Sequence, residues 1–166
     1  MRTKSRDKPF STLFPIHGFR EWLKKYLSED DKTILTSKDS EIIKSVTGSK
    51  SFKEGFHKIL NSEWYADPIV SESLKAPLTK LCAHYPLKEK RDERAYDLVE
   101  NFHLTNGACI ERINWLADSS KKGTEQSLGM MVNYYYKLSQ IAKNHEYYVT
   151  ETKIATSKDV KSLLRN

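Results

Sequence analysis

The chain has 166 residues, enough for one domain with a hydrophobic core. Hydrophobic residues make up 38% and charged residues 30%, which is typical of a globular protein and excludes a disordered or membrane-embedded one. The net charge of +6 favours an anionic partner, but Lys and Arg are spread among acidic residues, so the composition indicates a mixed solvated surface before a nucleic-acid module.

Two cysteines, Cys82 and Cys109, stand far apart and form no CxxC motif. This excludes the common zinc and redox motifs and suits a reducing compartment. Residues 1–9 are basic and lack an apolar signal core, so they predict a poorly ordered N-terminus with no clear presequence. The C-terminus is not the Ser-Lys-Leu peroxisomal address.

The first predicted element is a strand from Phe10 to Phe14, ended by Pro15 and Gly18. A helix follows, because Phe19 begins an apolar stripe that recurs every three or four residues to Leu27. The opening strand has nothing before it to pair with, which suggests that the chain is part of something larger.

Three further helices are predicted from their start and stop signals. The first begins at Thr36 or Ser37 and stops at Gly48. The second begins with a capping box of Ser51 and Glu54. In the third, Asp67 is the cap, Pro68 takes the first helical position, and Pro77 is expected to kink the helix or split it.

The second half opens with a charged run, "LKEKRDERAYD", which predicts an exposed link. It continues with a β-hairpin in "NFHLTNGACIERINW", a long helix over residues 124–144, and a short helix capped by Ser157. The order of elements predicts a helix-rich α+β domain with a small sheet.

The hairpin prediction depends on Asn106-Gly107, a strong signal for a type I′ turn. The resulting register places Asn101, His103, Thr105 and Arg112 on one face, which could bind an anion or transfer a proton. Spacing alone favours the alternative, a structural histidine. The other histidines, at positions 17, 57, 84 and 145, show no metal-ligand spacing, and no glycine-rich phosphate loop or nucleophile elbow occurs.

Four segments resemble motifs of the malonyl-CoA decarboxylase family. "FSTLFPIHGFREWL" resembles F-S-x-L-S-P-I-P-G-F-x-x-W-L, and "PLTKLCAHYPLKEK" resembles P-L-x-R-L-C-A-x-Y-L-x-x-E-K. "VENFHLTNGACIERINWLAD" is similar to V-A-N-F-H-L-x-N-G-A-x-x-x-R-I-N-W-x-A-D, and "GMMVNYYYKL" to G-x-M-x-N-Y-R-Y-F-L. The order and spacing also match, from about Phe10 to Leu164.

The resemblance implies that residues 10–166 are the C-terminal part of a catalytic domain with a GNAT-like acyltransferase fold, carrying a β-hairpin and inserted helices. The family enzymes are longer, with a helical domain, earlier strands and a loop for the coenzyme A pyrophosphate ahead of this segment. The resemblance also implies work in mitochondria, peroxisomes or cytosol.

The reaction implied is decarboxylation of malonyl-CoA to acetyl-CoA and carbon dioxide, a step of fatty acid metabolism. It leaves negative charge on the thioester oxygen as an enolate, which fixed donors must stabilise before the α-carbon receives a proton. No cofactor or metal is implied, because the thioester is the electron sink. The resemblance implies that a serine and a histidine share the stabilisation of the enolate and the protonation of the α-carbon.

The family histidine falls on His103, implied to be catalytic and to contact substrate, and the last tyrosine of N-Y-R-Y falls on Tyr136, a second candidate to line the pocket. Arg112 and Asn114 also match, as residues that brace the hairpin. The serine position holds Phe14, whose side chain cannot hydrogen-bond. Ser11 and Thr12 lie nearby, and Thr12 could substitute only if the backbone shifts.

Three interpretations follow. The chain is a malonyl-CoA decarboxylase segment that acts within a fuller protein, or a truncated or diverged relative that binds an acyl-CoA or a protein without catalysis. The third interpretation, a nucleic-acid-binding module, is supported by the net charge alone and ranks last. Expected partners are malonyl-CoA and either another copy of the chain or a missing N-terminal segment, with no membrane span.

Overall fold

The computed structural model describes residues 10–29 and 34–165, so the prediction for residues 1–9 lies outside the described residues. The helices are α1 (Phe19–Ser28), α2 (Ser37–Thr47), α3 (Phe52–Leu60), α4 (Pro68–Lys88), α5 (Leu98–Thr105), α6 (Lys121–Ser127), α7 (Leu138–Glu151) and α8 (Lys158–Ser162). The strands are β1 (Phe10–Pro15), β2 (Lys90–Arg91), β3 (Arg94–Ala95), β4 (Cys109–Asn114) and β5 (Met131–Tyr136). A single 3₁₀ turn, Trp64–Ala66, precedes α4. The predicted helix-rich α+β class is confirmed.

The larger sheet has the strand order β1-β5-β4, with both pairings antiparallel. The opening strand is therefore not without a partner, since β5 from the far end of the chain pairs along its whole length. A segment near the C-terminus adds to β4. The Ile110 N–H donates to the Ala155 carbonyl at 2.9 Å, and the Ser157 N–H donates to the Ile110 carbonyl at 3.0 Å.

The core lies between one face of this sheet and the helices. Its largest fully buried side chains come from both halves of the chain and include Phe19, Leu23, Ile43, Phe56, Leu74, Leu81, Tyr85 and Tyr134. None of the helices in the described part of the chain is long and apolar enough to span a bilayer.

Helix starts agree with the capping signals. Asp39 N–H donates to Thr36 Oγ1, and the Asp39 carboxylate accepts the Thr36 N–H, which completes a capping box at α2. Ser51 and Ser157 cap α3 and α8 as expected. Asp67 Oδ1 accepts the first free N–H groups of α4. Pro77 does not divide this helix, so that alternative is wrong.

The predicted β-hairpin around Asn106-Gly107 is wrong. The segment before the turn is α5, started by Asp97, whose Oδ1 accepts the Val99 N–H at 2.8 Å. Asn106 has φ −83° and only Gly107 has a positive φ, of +84°, so the type I′ geometry is not formed. The turn joins a helix to a strand, and the cross-strand pairs of Asn101, His103 and Thr105 do not exist.

The predicted helix over residues 124–144 is also wrong. Leu128 and Gly129 both have left-handed backbone, with φ of +52° and +82°, and this ends α6. The next residues include Val132 and three consecutive tyrosines, which favour a strand where sheet neighbours are present on both sides. The helical period resumes only in α7.

The charged run predicted as an exposed link forms a small two-stranded ribbon instead. β2 pairs with β3 across Asp92 and Glu93, both with positive φ. Its strands are mostly exposed, as expected, but Ala95 at its end is buried. A hairpin therefore exists, but its turn at Asp92-Glu93 lies fourteen residues before the Asn106-Gly107 turn where one was predicted.

We expect Gly107→Ala to destabilise the fold more than Gly48→Ala. Both glycines have positive φ, which costs an alanine about 1–2 kcal/mol. A Cβ at Gly107 would also collide with the Ile141 carbonyl, whereas a Cβ at Gly48 meets nothing within 4 Å. The expected losses in unfolding free energy, measured by urea denaturation, are about 1–2 kcal/mol for Gly48→Ala and about 2–5 kcal/mol for Gly107→Ala. Equal losses would contradict the close packing of the α5–β4 turn against α7.

Candidate active site

His103 lies on α5, on the side of the helix that faces the larger sheet. Glu100, His103 and Leu104 follow the three-and-four spacing of one helical face, and all three are buried. The exposed side carries Leu98 and Phe102. The imidazole is only 5% exposed, so it sits in the protein interior and not on a hairpin surface.

Three rings from the sheet surround His103. The Tyr134 ring stacks on the imidazole at 4.3 Å with an interplanar angle of 15°. The Phe14 ring lies 4.9 Å away at 50°. Tyr136 Oη is 2.6 Å from His103 Nδ1. The structure therefore brings together the residues Phe14, His103 and Tyr136, which the motif resemblance singled out from three distant parts of the sequence.

The register of the sheet explains this convergence. Phe14 pairs with Val132, and Thr12 pairs with Tyr134. Side chains alternate along a strand, so Phe14, Thr12, Tyr134 and Tyr136 all project from the same face. α5 crosses that face. Tyr136 was predicted to be on a helix, and its place on a strand is what directs its hydroxyl at the imidazole.

Burial sets the protonation states of the pair. Desolvation lowers the pKa of His103 below its ordinary value of 6.5, and it raises the pKa of Tyr136 above 10.0. Both groups are therefore neutral near neutral pH. At 2.6 Å the Tyr136 hydroxyl is placed to donate to Nδ1 of the neutral imidazole, and in that arrangement the imidazole proton is on Nε2.

Phe14 occupies the position of the family serine but cannot supply the hydrogen bonds that a serine hydroxyl makes. Its half-buried ring packs on the imidazole and offers no donor or acceptor. Ser11 is exposed and points to the opposite face. Thr12 Oγ1 is buried on the His103 face and has no hydrogen-bond partner among the described residues. Thr12 therefore lies two residues from Phe14 on the same face of β1 and does not take the serine position.

A buried acidic group that was not predicted lies beside this cluster. Glu100 is one helical turn before His103, only 1% exposed, at a position where the resembling motif has alanine. Burial first, and the neighbouring Asp97 second, raise its pKa well above the usual value. The same burial raises the pKa of Asp97. The signal that could identify this carboxyl group in the sequence is the helical spacing of Glu100 and His103. The segment that contains both residues was predicted as a strand, which hides this spacing.

Arg112 and Asn114 are not part of the His103 cluster. Arg112 is exposed and pairs in the sheet with Asn133. Asn114 Nδ2 donates to Asn133 Oδ1 at 2.8 Å on the same face as Arg112, opposite to the face that carries Tyr134. These residues brace the sheet. Within residues 10–29 and 34–165, no group of three metal-ligating side chains occurs.

With the imidazole proton on Nε2, the cluster presents a neutral imidazole whose other nitrogen is held by Tyr136. A fixed donor in a low-dielectric environment is suited to negative charge that develops on a substrate oxygen. The stacked rings and the hydrogen bond to Tyr136 remove the rotational freedom of the imidazole, so little reorganisation is needed.

The sequence matches the family model of the malonyl-CoA decarboxylase C-terminal domain over residues 2–166. It is 38% identical over 160 residues to mitochondrial malonyl-CoA decarboxylase from Mus musculus and 40% identical over 161 residues to that from Anser anser anser, covering 93% of this chain in each case. The chain spans about a third (32%) of the length of these relatives.

Solved structures agree with the sequence matches. The crystal structure of malonyl-CoA decarboxylase from Rhodopseudomonas palustris superimposes with a TM-score of 0.80 at 34% identity, covering 94% of this chain and 33% of that one. The enzyme from Agrobacterium vitis gives a TM-score of 0.79 at 34% identity, covering 96% and 36%.

We expect Tyr136→Phe to raise the pKa of His103 toward its ordinary value and to reduce its Nε2–H tautomer. The reason is that the Tyr136 hydroxyl stabilises the neutral imidazole through Nδ1. Imidazole ¹⁵N chemical shifts recorded across a pH titration measure both the pKa of His103 and the population of its Nε2–H tautomer. Tyr135→Phe is the matched control, because its side chain projects from the opposite face of the sheet. Identical titrations of the two variants would contradict the assigned hydrogen bond.

Proposed function

Because the chain belongs to the malonyl-CoA decarboxylase family, we propose that it carries the histidine-bearing part of a site that converts malonyl-CoA to acetyl-CoA and carbon dioxide. The observation that supports this proposal is the convergence of His103, Tyr136 and the serine-position residue Phe14 on one buried face. Residues that only stabilised the fold would not need an oriented imidazole there.

The chemistry requires an oxyanion donor first. When the carboxylate leaves as carbon dioxide, the electron pair moves onto the thioester carbonyl and makes an enolate oxygen. The Nε2–H of neutral His103 is the proposed donor to that oxygen. Donors of this kind typically contribute about 10²–10³ in rate. Tyr136 acts through His103, holding the tautomer that puts the proton on Nε2.

The second requirement is a proton for the α-carbon, and here the chain departs from the family pattern. The resemblance assigns a share of this work to a serine, and Phe14 has no hydroxyl. The ring instead fills space beside the imidazole at 4.9 Å. We therefore propose that the chain by itself turns over malonyl-CoA very weakly or not at all.

The contact between Phe14 and His103 also favours a second candidate function. An apolar ring packed on the imidazole suits a relative that binds an acyl-CoA without decarboxylating it. The two functions differ in the response to a restored hydroxyl, since a decarboxylase segment should gain acetyl-CoA formation in Phe14→Ser, whereas a protein that only binds the thioester should stay at background.

We expect purified chain to form little or no acetyl-CoA from malonyl-CoA and Phe14→Ser to form more, by on the order of tenfold. Phe14→Ala is the matched control, because it opens the same space without a hydroxyl. Turnover gained in Phe14→Ser should disappear when His103→Ala is added. Product is measured by chromatography of the acyl-CoA species.

Two results would contradict the proposal. The first is robust turnover by the unmodified chain that His103→Ala abolishes, because the serine would then not be needed. The second is equal activity of Phe14→Ser and Phe14→Ala, because space and not a hydroxyl would then limit the reaction.

A homo-oligomer is the further partner that we propose. In the described part of the chain, β1 pairs only with β5, so its other edge presents free backbone groups that favour self-association. Phe10 and Leu13 add exposed apolar surface to this strand.

We expect Leu13→Lys to reduce self-association measured by sedimentation velocity, since a charge on an edge strand opposes strand pairing. Val149→Lys on α7 is the matched control, because Val149 is 50% exposed and Leu13 is 49% exposed. A monodisperse monomer before any substitution would count against an oligomer built on β1.

A further inference from the structure

A second site is formed where four separate segments of the chain meet, away from the His103 cluster. It is a cavity of about 910 Å³ between the end of α4, the ribbon strand β2, α7 and the C-terminal segment. None of Phe14, His103 and Tyr136, all described, lines it. Its volume is within the range of small-molecule sites.

The charge of this cavity is strongly one-sided. Six cationic side chains line it: Lys88, Lys90, Lys143, Lys153, Lys161 and Arg165. Glu111 is the single carboxylate in the lining. In the sequence these cations look like parts of a mixed surface, because acidic residues neighbour most of them. The fold gathers the cations in one concave place, where their potentials add, and among the described residues only Lys153 of the six has an ion-pair partner, Glu151 Oε2 at 2.7 Å.

Several of the cations are held in position. Lys90 Nζ donates to the Thr152 carbonyl at 2.6 Å. Lys143 and Lys153 both place their ammonium groups over the Tyr147 ring, at 5.3 Å and 5.8 Å from its centroid. Side chains that are already ordered lose less conformational entropy when a ligand binds.

The walls of the cavity are also fixed to the sheet. Residues 155–157 pair with β4 through the backbone of Ile110, and Ser157 Oγ donates to the Glu111 carbonyl at 2.7 Å. Leu87, Ile154 and Leu164 supply an apolar part of the lining. The cleft is therefore a formed feature of the fold and not a chance gap between exposed lysines.

We propose that this cleft binds a small phosphorylated ligand with at least two phosphate groups. The cations come from the α4–β2 junction, from α7 and from residues 153–165, and a linked pair of phosphates can contact more of them at once than a single phosphate can. Lysine ammonium groups act as point charges on phosphate oxygens and need no fixed planar geometry, which suits a flexible polyphosphate. A nucleic acid is disfavoured because the cations enclose a concave cavity and do not form an extended stripe.

The test uses the full chain and pyrophosphate as the probe, with isothermal titration calorimetry at low salt. We expect saturable 1:1 binding that is tighter for pyrophosphate than for inorganic phosphate and that weakens as salt screens the charges. Lys88→Gln with Lys161→Gln should weaken pyrophosphate binding about fivefold or more. Lys121→Gln with Lys122→Gln is the matched control, since it removes the same charge from α6, outside the cavity, and should change binding by less than about twofold.

Three results would overturn the proposal. Absence of saturable pyrophosphate binding would remove the site. Equal weakening in both double variants would show that net charge alone attracts the anion. Tighter binding of a single-stranded oligonucleotide than of pyrophosphate, lost in the Lys88/Lys161 variant, would reassign the cleft to nucleic acid. Because the four lysines are exposed, thermal melts should confirm that all variants fold like the parent.

Discussion

The pairing of β5 with strands on both of its edges is the constraint on which the candidate active site depends. β5 contributes the tyrosine that stacks on His103 and, two residues later, the tyrosine that bonds its Nδ1. The same strand holds β1 in the register that brings Phe14 to the imidazole. Contacts made by β5 thus position the imidazole of His103. Through its pairing with β1, the same strand also places the Phe14 ring, which shields the imidazole from water. The helix that carries His103 needs only to lie across this face.

The sequence predicted local features well and long-range ones poorly. Caps such as Thr36, Ser51 and Asp67 were identified because a cap is decided by side chains within three residues of it. The strand nature of β5 was missed because a strand between two others is stabilised by neighbours from distant parts of the chain. The Asn106-Gly107 signal marked a real turn, but a positive-φ glycine joins a helix to a strand as readily as it joins two strands.

The structure brings His103 together with Phe14 and Tyr136, although the predicted secondary structure around His103 was wrong. The long motif that contains it resembles a known family as a string of residues, and such a resemblance does not depend on whether the string is helix or strand. The helical period of Glu100, His103 and Leu104 was present in the same string, but the turn signal outweighed it. What the string could not predict is the orientation of the imidazole, because Tyr134 and Tyr136 lie about thirty residues later in the sequence.

The departures at Phe14 and Glu100 act on the same electrostatic property of the cluster. Phe14 excludes water from one side of the imidazole, which lowers the local dielectric and makes the Nε2–H a stronger donor. In such surroundings an ionised carboxylate one turn away on α5 would oppose a developing enolate. Burial raises the pKa of Glu100 well above its usual value, which favours the protonated side chain and reduces this repulsion. Phe14, Tyr134 and Tyr136 bring no cation to the buried cluster, whereas the cationic cleft carries its charge near solvent. In the proposed decarboxylation site an anion would meet single fixed donors, while an anion at the cleft would meet a summed field. The two proposals therefore rest on different physics, hydrogen-bond geometry at the cluster and charge at the cleft.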